Sequence, residues 1–188
     1  MMRWLRSFSL IAVLSVGAVP AFDASIQTVP AERIKLIKEI QGRLNLSFHC
    51  EFSISIGQTR KYAMANSSGI IIVDRAFLET ADRGRIFFAI AHEYAHAYLQ
   101  HDVSLYAHLS KPIDPSAPKN LTEARRRFEK EADGIAARKA KEMGFPIESI
   151  LEFILTQPDA EKGFHPDLRA YCKPRERANS ILAVYQSS

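Results

Sequence analysis

Two histidines set one turn apart, with a glutamate between them, could together do hydrolytic chemistry. The stretch Ala89-Ile90-Ala91-His92-Glu93-Tyr94-Ala95-His96-Ala97-Tyr98-Leu99 reads H-E-x-x-H inside an apolar, glycine-free run. On a helix, His92 and His96 share a face, so both imidazoles can reach one metal ion. Glu93 lies about 100° round from His92, placed to touch a metal-bound water without ligating the metal. Zinc lowers the pKa of such a water toward neutrality, and a neighbouring carboxylate can take its proton. These parts suffice to hydrolyse an amide. The plainer alternative is an amphipathic helix with two histidines on a polar stripe. Phe87, Phe88, Ile90, Ala91, Ala95 and Leu99 argue against it. They imply a buried helix, where two histidines and a glutamate without partners would be costly.

The motif still needs a third protein ligand. Thr122 opens a long helical pattern to about Met143, stopped by Gly144 and Pro146. Within it Glu129 and Asp133 are four apart and share a face. If that face meets the helix of His92 and His96, Glu129 supplies the third ligand. Asp133 can then accept a hydrogen bond from the other ring nitrogen of a ligating histidine. Ala132, Gly134 and Ala136 permit a close approach. A fourth position stays open for water, as a catalytic zinc site requires. Read alone, residues 125–131 are better explained as a charged solvent face with paired ions; the upstream motif reverses that preference. His101 also follows His96. The long metzincin pattern needs five residues and a glycine between these positions, and only Ala97, Tyr98, Leu99 and Gln100 intervene. On a continuous helix His101 points away from the metal, so it is expected to be a helix-end residue.

The elements that must position these groups follow from periodicity. Ile34, Ile37, Ile40 and Leu44 recur at helical spacing over residues 30–44, predicting an outer amphipathic helix. Phe48, Cys50, Phe52, Ile54 and Ile56 alternate with polar residues, predicting a strand with one buried face. Residues 61–65 could form a second short strand, and Asn66-Ser67-Ser68-Gly69 marks a turn before the apolar strand Ile70 to Val73. A small, mostly antiparallel sheet is therefore expected, with an edge suited to adding an extended peptide. Asp74 or Thr80 can cap the helix that follows, over residues 85–100. Ser110 to Asn120 is a proline-rich loop between helices. Ile150, Leu151, Ile154 and Leu155 are the core positions of a helix over 147–156, and Pro174 suits the first turn of a last helix over 175–185.

Length and composition bound the rest. The 188 residues, 47% hydrophobic and 24% charged, suit one globular domain. Arg3 and Arg6 precede an apolar run from Phe8 to Val19, and Val19-Pro20-Ala21 offers a small-residue cleavage site. That run is shorter than the roughly 20 residues that span a bilayer. Residues 1–21 therefore read as a secretory signal peptide ahead of a domain over 22–188, in the periplasm or secreted. An uncleaved membrane anchor through residues 8–19 is the alternative. Losing two arginines and no acids lowers the net charge from +4 to +2, so the basic balance does not argue for nucleic acid. Cys50 and Cys172 form a disulfide or stay as two thiols, and neither has metal-site spacing.

H-E-x-x-H followed by E-x-x-A-D resembles the gluzincin metallopeptidases, most closely the family of the CAAX prenyl protease, the heat-shock protease HtpX and their soluble exported relatives. The resemblance covers roughly residues 60–185. It implies that His92, His96 and Glu129 ligate zinc, that Glu93 is the general base, and that Asp133 supports a ligating histidine. Gluzincins commonly aim a His, Tyr or Arg at the oxyanion of the tetrahedral intermediate. His165-Pro166 resembles the family's late His-Pro motif, which makes His165 the candidate, with Tyr171 and Arg177 behind it. There are three departures: the membrane helices of the CAAX and heat-shock members are absent, the family's edge segment is only loosely echoed by Ala63-Met64-Ala65-Asn66, and the spacing from His96 to Glu129 is filled partly by the proline-rich loop. The expectation is an α+β, zincin-like domain: a small sheet, the H-E-x-x-H helix and several further helices. Its expected activity is that of a zinc-dependent endopeptidase with one Zn2+ per chain, acting on peptide or protein substrates. Two other readings stand beside it, a peptide-binding or holdase-type module that does not cleave, and a zinc hydrolase of a non-peptide amide or ester.

Overall fold

The computed structural model describes residues 29–59, 61–104, 117–157 and 173–188, with 117–122 described in backbone alone. The expected signal peptide, most of the proline-rich loop, His165, Tyr171 and Cys172 lie outside the described residues, and with them the Cys50–Cys172 pairing.

Helix α1 (Ala31–Phe48) turns Leu36, Ile37, Ile40, Leu44 and Phe48 inward, while Ile34 is exposed. The strand expected from Phe48 onward begins only at Ser53. Phe48 falls one turn after Leu44, so it extends the buried helical stripe instead of starting an alternating one. His49, at φ 51°, closes the helix, and the Cys50 N–H donates back to the Asn45 carbonyl at 3.0 Å.

Strands β1 (Ser53–Gly57), β2 (Ala63–Ala65) and β3 (Ile70–Asp74) form one sheet in the order β1-β3-β2. The sheet is mixed, not mostly antiparallel. β2 and β3 are an antiparallel hairpin, whereas β1 runs parallel to β3. The chain leaves β1, skips one strand position, and the hairpin folds β3 back into the gap. Asn66 organises that hairpin, its side-chain carbonyl accepting from the N–H groups of Ser68 and Ile70. Gly69 is required at φ 77°, where an added Cβ would also meet the Phe52 ring at 2.2 Å.

Two short-range caps then split what reads as one helical region. Asp74 caps α2 (Arg75–Thr80) by accepting from the Phe77 N–H, and Asp82 caps α3 (Arg83–Tyr98) by accepting from Arg85. Thr80 caps neither. Helix α3 is the centre of the fold: Ile86, Phe87, Phe88, Ile90, Ala91 and Tyr94 are buried almost completely. It packs against α1, the sheet, α4 (Ala117–Glu142) and α5 (Ile147–Leu155). Asn45 ties α1 to it, its side-chain oxygen accepting from the Tyr94 hydroxyl at 3.1 Å and from the Phe52 N–H at 3.1 Å. Where α3 meets α5 the approach is tight, since a Cβ on Gly84 would lie 2.2 Å from Ser149 Oγ.

Helix α4 ends at Gly144 (φ 75°), with the Phe145 N–H returning to the Ala140 carbonyl. In α5 the buried set is Ile150, Phe153 and Ile154, and Leu155, expected inside, is exposed. Helix α6 (Pro174–Ser187) starts on its proline and packs across α4 and α5. The architecture is α+β, and no helix among the described residues is long and apolar enough to cross a membrane.

Candidate metal centre

Helices α3 and α4 lie side by side, their contact kept close by Ala95, Ala132 and Ala136, all fully buried. The single-turn spacing on α3 directs His92 and His96 to the same side, and their Nε2 atoms are 3.0 Å apart. Glu129, from α4, places Oε2 at 3.1 Å from His92 Nε2 and 3.6 Å from His96 Nε2. Two imidazole nitrogens and a carboxylate oxygen thus converge within 4.8 Å of one another. The donor set fits zinc. Tetrahedral geometry with bonds of about 2.05 Å puts neighbouring donors about 3.3 Å apart, within a few tenths of an ångström of the three separations observed.

Burial and the neighbouring charges oppose one another across the cluster. Burial opposes a charge on His92, but the carboxylates of Asp133 and Glu129 outweigh it and push the pKa up to about 10. Burial likewise opposes the Glu129 carboxylate, yet hydrogen bonds and charges from His92 and His96 hold it well below the usual carboxylate range. Glu93 behaves differently. Burial raises its pKa, and the Glu129 charge adds to that, against the pull of His92, His96 and Lys61. Glu93 is therefore inclined to accept and hold a proton.

Each histidine is gripped at its other nitrogen. His92 Nδ1 lies 2.9 Å from Asp133 Oδ1. Burial disfavours the Asp133 charge, and Arg177 together with His92 outweighs it, keeping the carboxyl below its ordinary value. The guanidinium donates from Nε to Oδ2 at 2.5 Å and from Nη2 to Oδ1 at 2.7 Å, while Nη1 donates to Gln157 Oε1 at 2.9 Å. Arg177, weighed from sequence as an oxyanion donor, is committed to this fork on the far side of Asp133. His101 occupies the corresponding place behind His96, with Nδ1 to Nδ1 at 2.9 Å. It is buried, and its pKa is lowered by burial and by His96.

Placement of the sequence-predicted residues is thus uneven. His92, His96, Glu129 and Asp133 come together, and Glu93 stands one residue along the same helix. His165 lies outside the described residues. Two residues in the cluster were missed in these positions. Nothing local marks Arg177 as the partner of an aspartate 44 positions away, and His101 was hidden by the assumption of an unbroken helix. Beside the site, β2 is an edge strand packed near α3, with Tyr62 and Met64 partly exposed along it. No protein-family model, curated protein or solved structure matches this chain.

Proposed function

We propose that the chain is a zinc-dependent endopeptidase of zincin-like fold, related to the gluzincins and acting outside the cytoplasm. The observation that carries this reading is the convergence of His92, His96 and Glu129 from two helices, with Glu93 next along the first. These three residues would hold the ion. Bound there, zinc supplies Lewis acidity, polarising a carbonyl and making a water acidic near neutral pH.

The chain's own residues do the remaining work. Glu93, its proton affinity raised by burial, takes the proton of the attacking water and delivers it to the leaving amine. Asp133, held by Arg177, keeps His92 turned so that Nε2 faces Glu129 and His96. Among the described residues β2 is an edge strand, which suits the addition of an extended peptide stretched past α3. The reading of residues 1–21 as a signal peptide supports the extracytoplasmic setting.

The test is mass spectrometry of a mixed peptide library incubated with the zinc-loaded chain and with its Glu93→Gln variant, zinc content being measured in both. Cuts made by the wild type alone are expected. Equal cutting by the variant would remove Glu93 from its role. No cutting by a wild type that carries zinc would favour a module that binds peptides without hydrolysing them.

A further inference from the structure

The chain beyond α3 does not continue straight. Leu99 is still helical in backbone, but Gln100 adopts φ 52°, and this one left-handed residue turns the following segment back on the last turn of the helix. His101 is carried inward by that turn and is 5% exposed. Its ring stacks on Phe128 of α4, with centroids 4.4 Å apart and planes 16° from parallel. It meets His96 nearly edge-on at 78°, Nδ1 to Nδ1 at 2.9 Å, and its Nε2 is 3.5 Å from Glu131 Oε2.

Two facing imidazole nitrogens at that distance share one proton, so one donates and the other accepts. The direction decides what His96 can do. If His96 Nδ1–H donates, its Nε2 carries a lone pair toward His92 and Glu129. If His101 Nδ1–H donates, a neutral His96 carries its proton on Nε2, in the mouth of the metal cluster. Glu131 breaks the tie, because an acceptor beside His101 Nε2 favours the proton there and leaves His101 Nδ1 free to accept.

We infer that His101, biased by Glu131, is a positioning residue that sets the tautomer of His96 so that its Nε2 is presented as a metal ligand. The two histidines of the cluster are then oriented by different means. His92 is held by a carboxylate and His96 by a second imidazole. This rests on the reading of His92, His96 and Glu129 as a metal centre.

The experiment pairs zinc affinity, by chelator competition, with nitrogen-15 NMR of the histidine rings in the metal-free chain. The wild type is expected to show His96 with its proton on Nδ1 and His101 with its proton on Nε2. His101→Phe keeps a ring against Phe128 but removes the acceptor, and is expected to weaken zinc binding on the order of 10–100-fold. His101→Gln, whose carbonyl can accept from His96, is expected to stay within a few-fold of the wild type. A wild-type His101 protonated on Nδ1 overturns the inference, and that measurement needs no variant to fold. Equal losses in the Phe and Gln variants also overturn it, since the role would be one of shape. Failure of the underlying metal-centre reading looks different: zinc would not bind the wild type stoichiometrically, or Glu129→Ala would leave its affinity unchanged.

Discussion

Replacing Arg177 with methionine keeps the aliphatic stem and removes the guanidinium fork from Asp133. An exposed ion pair would be worth about 0–1 kcal/mol. This pair is different, because the side chains are only 10% and 6% exposed and the contact is bidentate at 2.5 and 2.7 Å. Taking one partner from a buried pair costs about 3–5 kcal/mol, mainly through the charge left behind. In the metal-free chain Asp133 retains one cationic neighbour, since His92, with its pKa pushed up to about 10, is still protonated at pH 7. The expected loss therefore sits at the low end, about 3 kcal/mol. Against a typical total of about 5–15 kcal/mol this is a large fraction. It should lower the urea midpoint by roughly 1–3 M, taking a slope of about 1–3 kcal/mol per molar.

The assay is equilibrium urea unfolding in chelator at pH 7, followed by circular dichroism, on Arg177→Met, Asp133→Asn and the double variant. With the carboxylate neutralised, the guanidinium has little left to stabilise, so the double variant should lose less than the two singles combined. A coupling of about 1–3 kcal/mol is expected. If Arg177→Met costs under about 1 kcal/mol and the coupling is near zero, the fork is a surface contact and does not hold the site.

Glu129→Ala should abolish tight zinc binding while leaving a folded chain, as read by metal analysis after gel filtration; retained stoichiometric zinc would point to another ligand. The stability of the metal-free chain should have a maximum in mildly acidic solution. His92 has its folded pKa raised from 6.5 to about 10, so its contribution, at most about 5 kcal/mol, is complete below pH 6.5 and lost as pH rises toward 10. Glu129 and Asp133 have lowered values, so theirs is present above the usual carboxylate range and lost as pH falls through the folded values. Thermal melts across pH 3–10 check both limbs, and His92→Gln should flatten the alkaline one. Gly84→Ala should cost about 1–3 kcal/mol by driving its Cβ into Ser149 Oγ. Ser149→Ala should restore most of that, since this hydroxyl is buried without a hydrogen-bond partner among the described residues. Gly134→Ala, whose Cβ meets nothing nearer than 3.9 Å, should instead stabilise by up to about 1 kcal/mol, and comparative melts separate the two.

The residues of the cluster were legible because each pair sits within one turn of one helix. The four-residue intervals His92–His96 and Glu129–Asp133 put each pair on one face whatever the tertiary structure does. Only the meeting of the two helices had to be supposed, and the small residues Ala132 and Ala136 made that plausible. Strand partners were not legible in the same way. Alternation over Ser53–Gly57 says which face is buried, but not whether β1 pairs with β2 or, in parallel, with β3. Phe48 satisfied both a helical and an alternating pattern, and burial under α3, against Tyr94 and Tyr98, settled it as helix. The start of α3 is readable from sequence, because Asp82 stands three residues before the N–H it accepts from, as a helix cap should.

The groups that orient the donors follow a different logic, and that is why they escaped. Asp133 was found because it rides on the helix that carries Glu129. Arg177 reaches it from α6, and His101 reaches His96 only because Gln100 takes a left-handed conformation that its residue type does not announce. A straight continuation of α3 puts His101 on the wrong side, and helical periodicity over 85–100 overran a helix that ends at Tyr98. A ligand needs only to face a point in space, which spacing along a helix can guarantee. An orienting residue must approach that ligand from behind, where the helix itself supplies no side chain, so it has to come from a chain reversal or from another element. At this centre the reversal supplies one such group and α6 the anchor of the other. On the proposed reading of the cluster as a metal site, shape at Gln100 and charge at Arg177 matter to it as much as His92, His96 and Glu129 do.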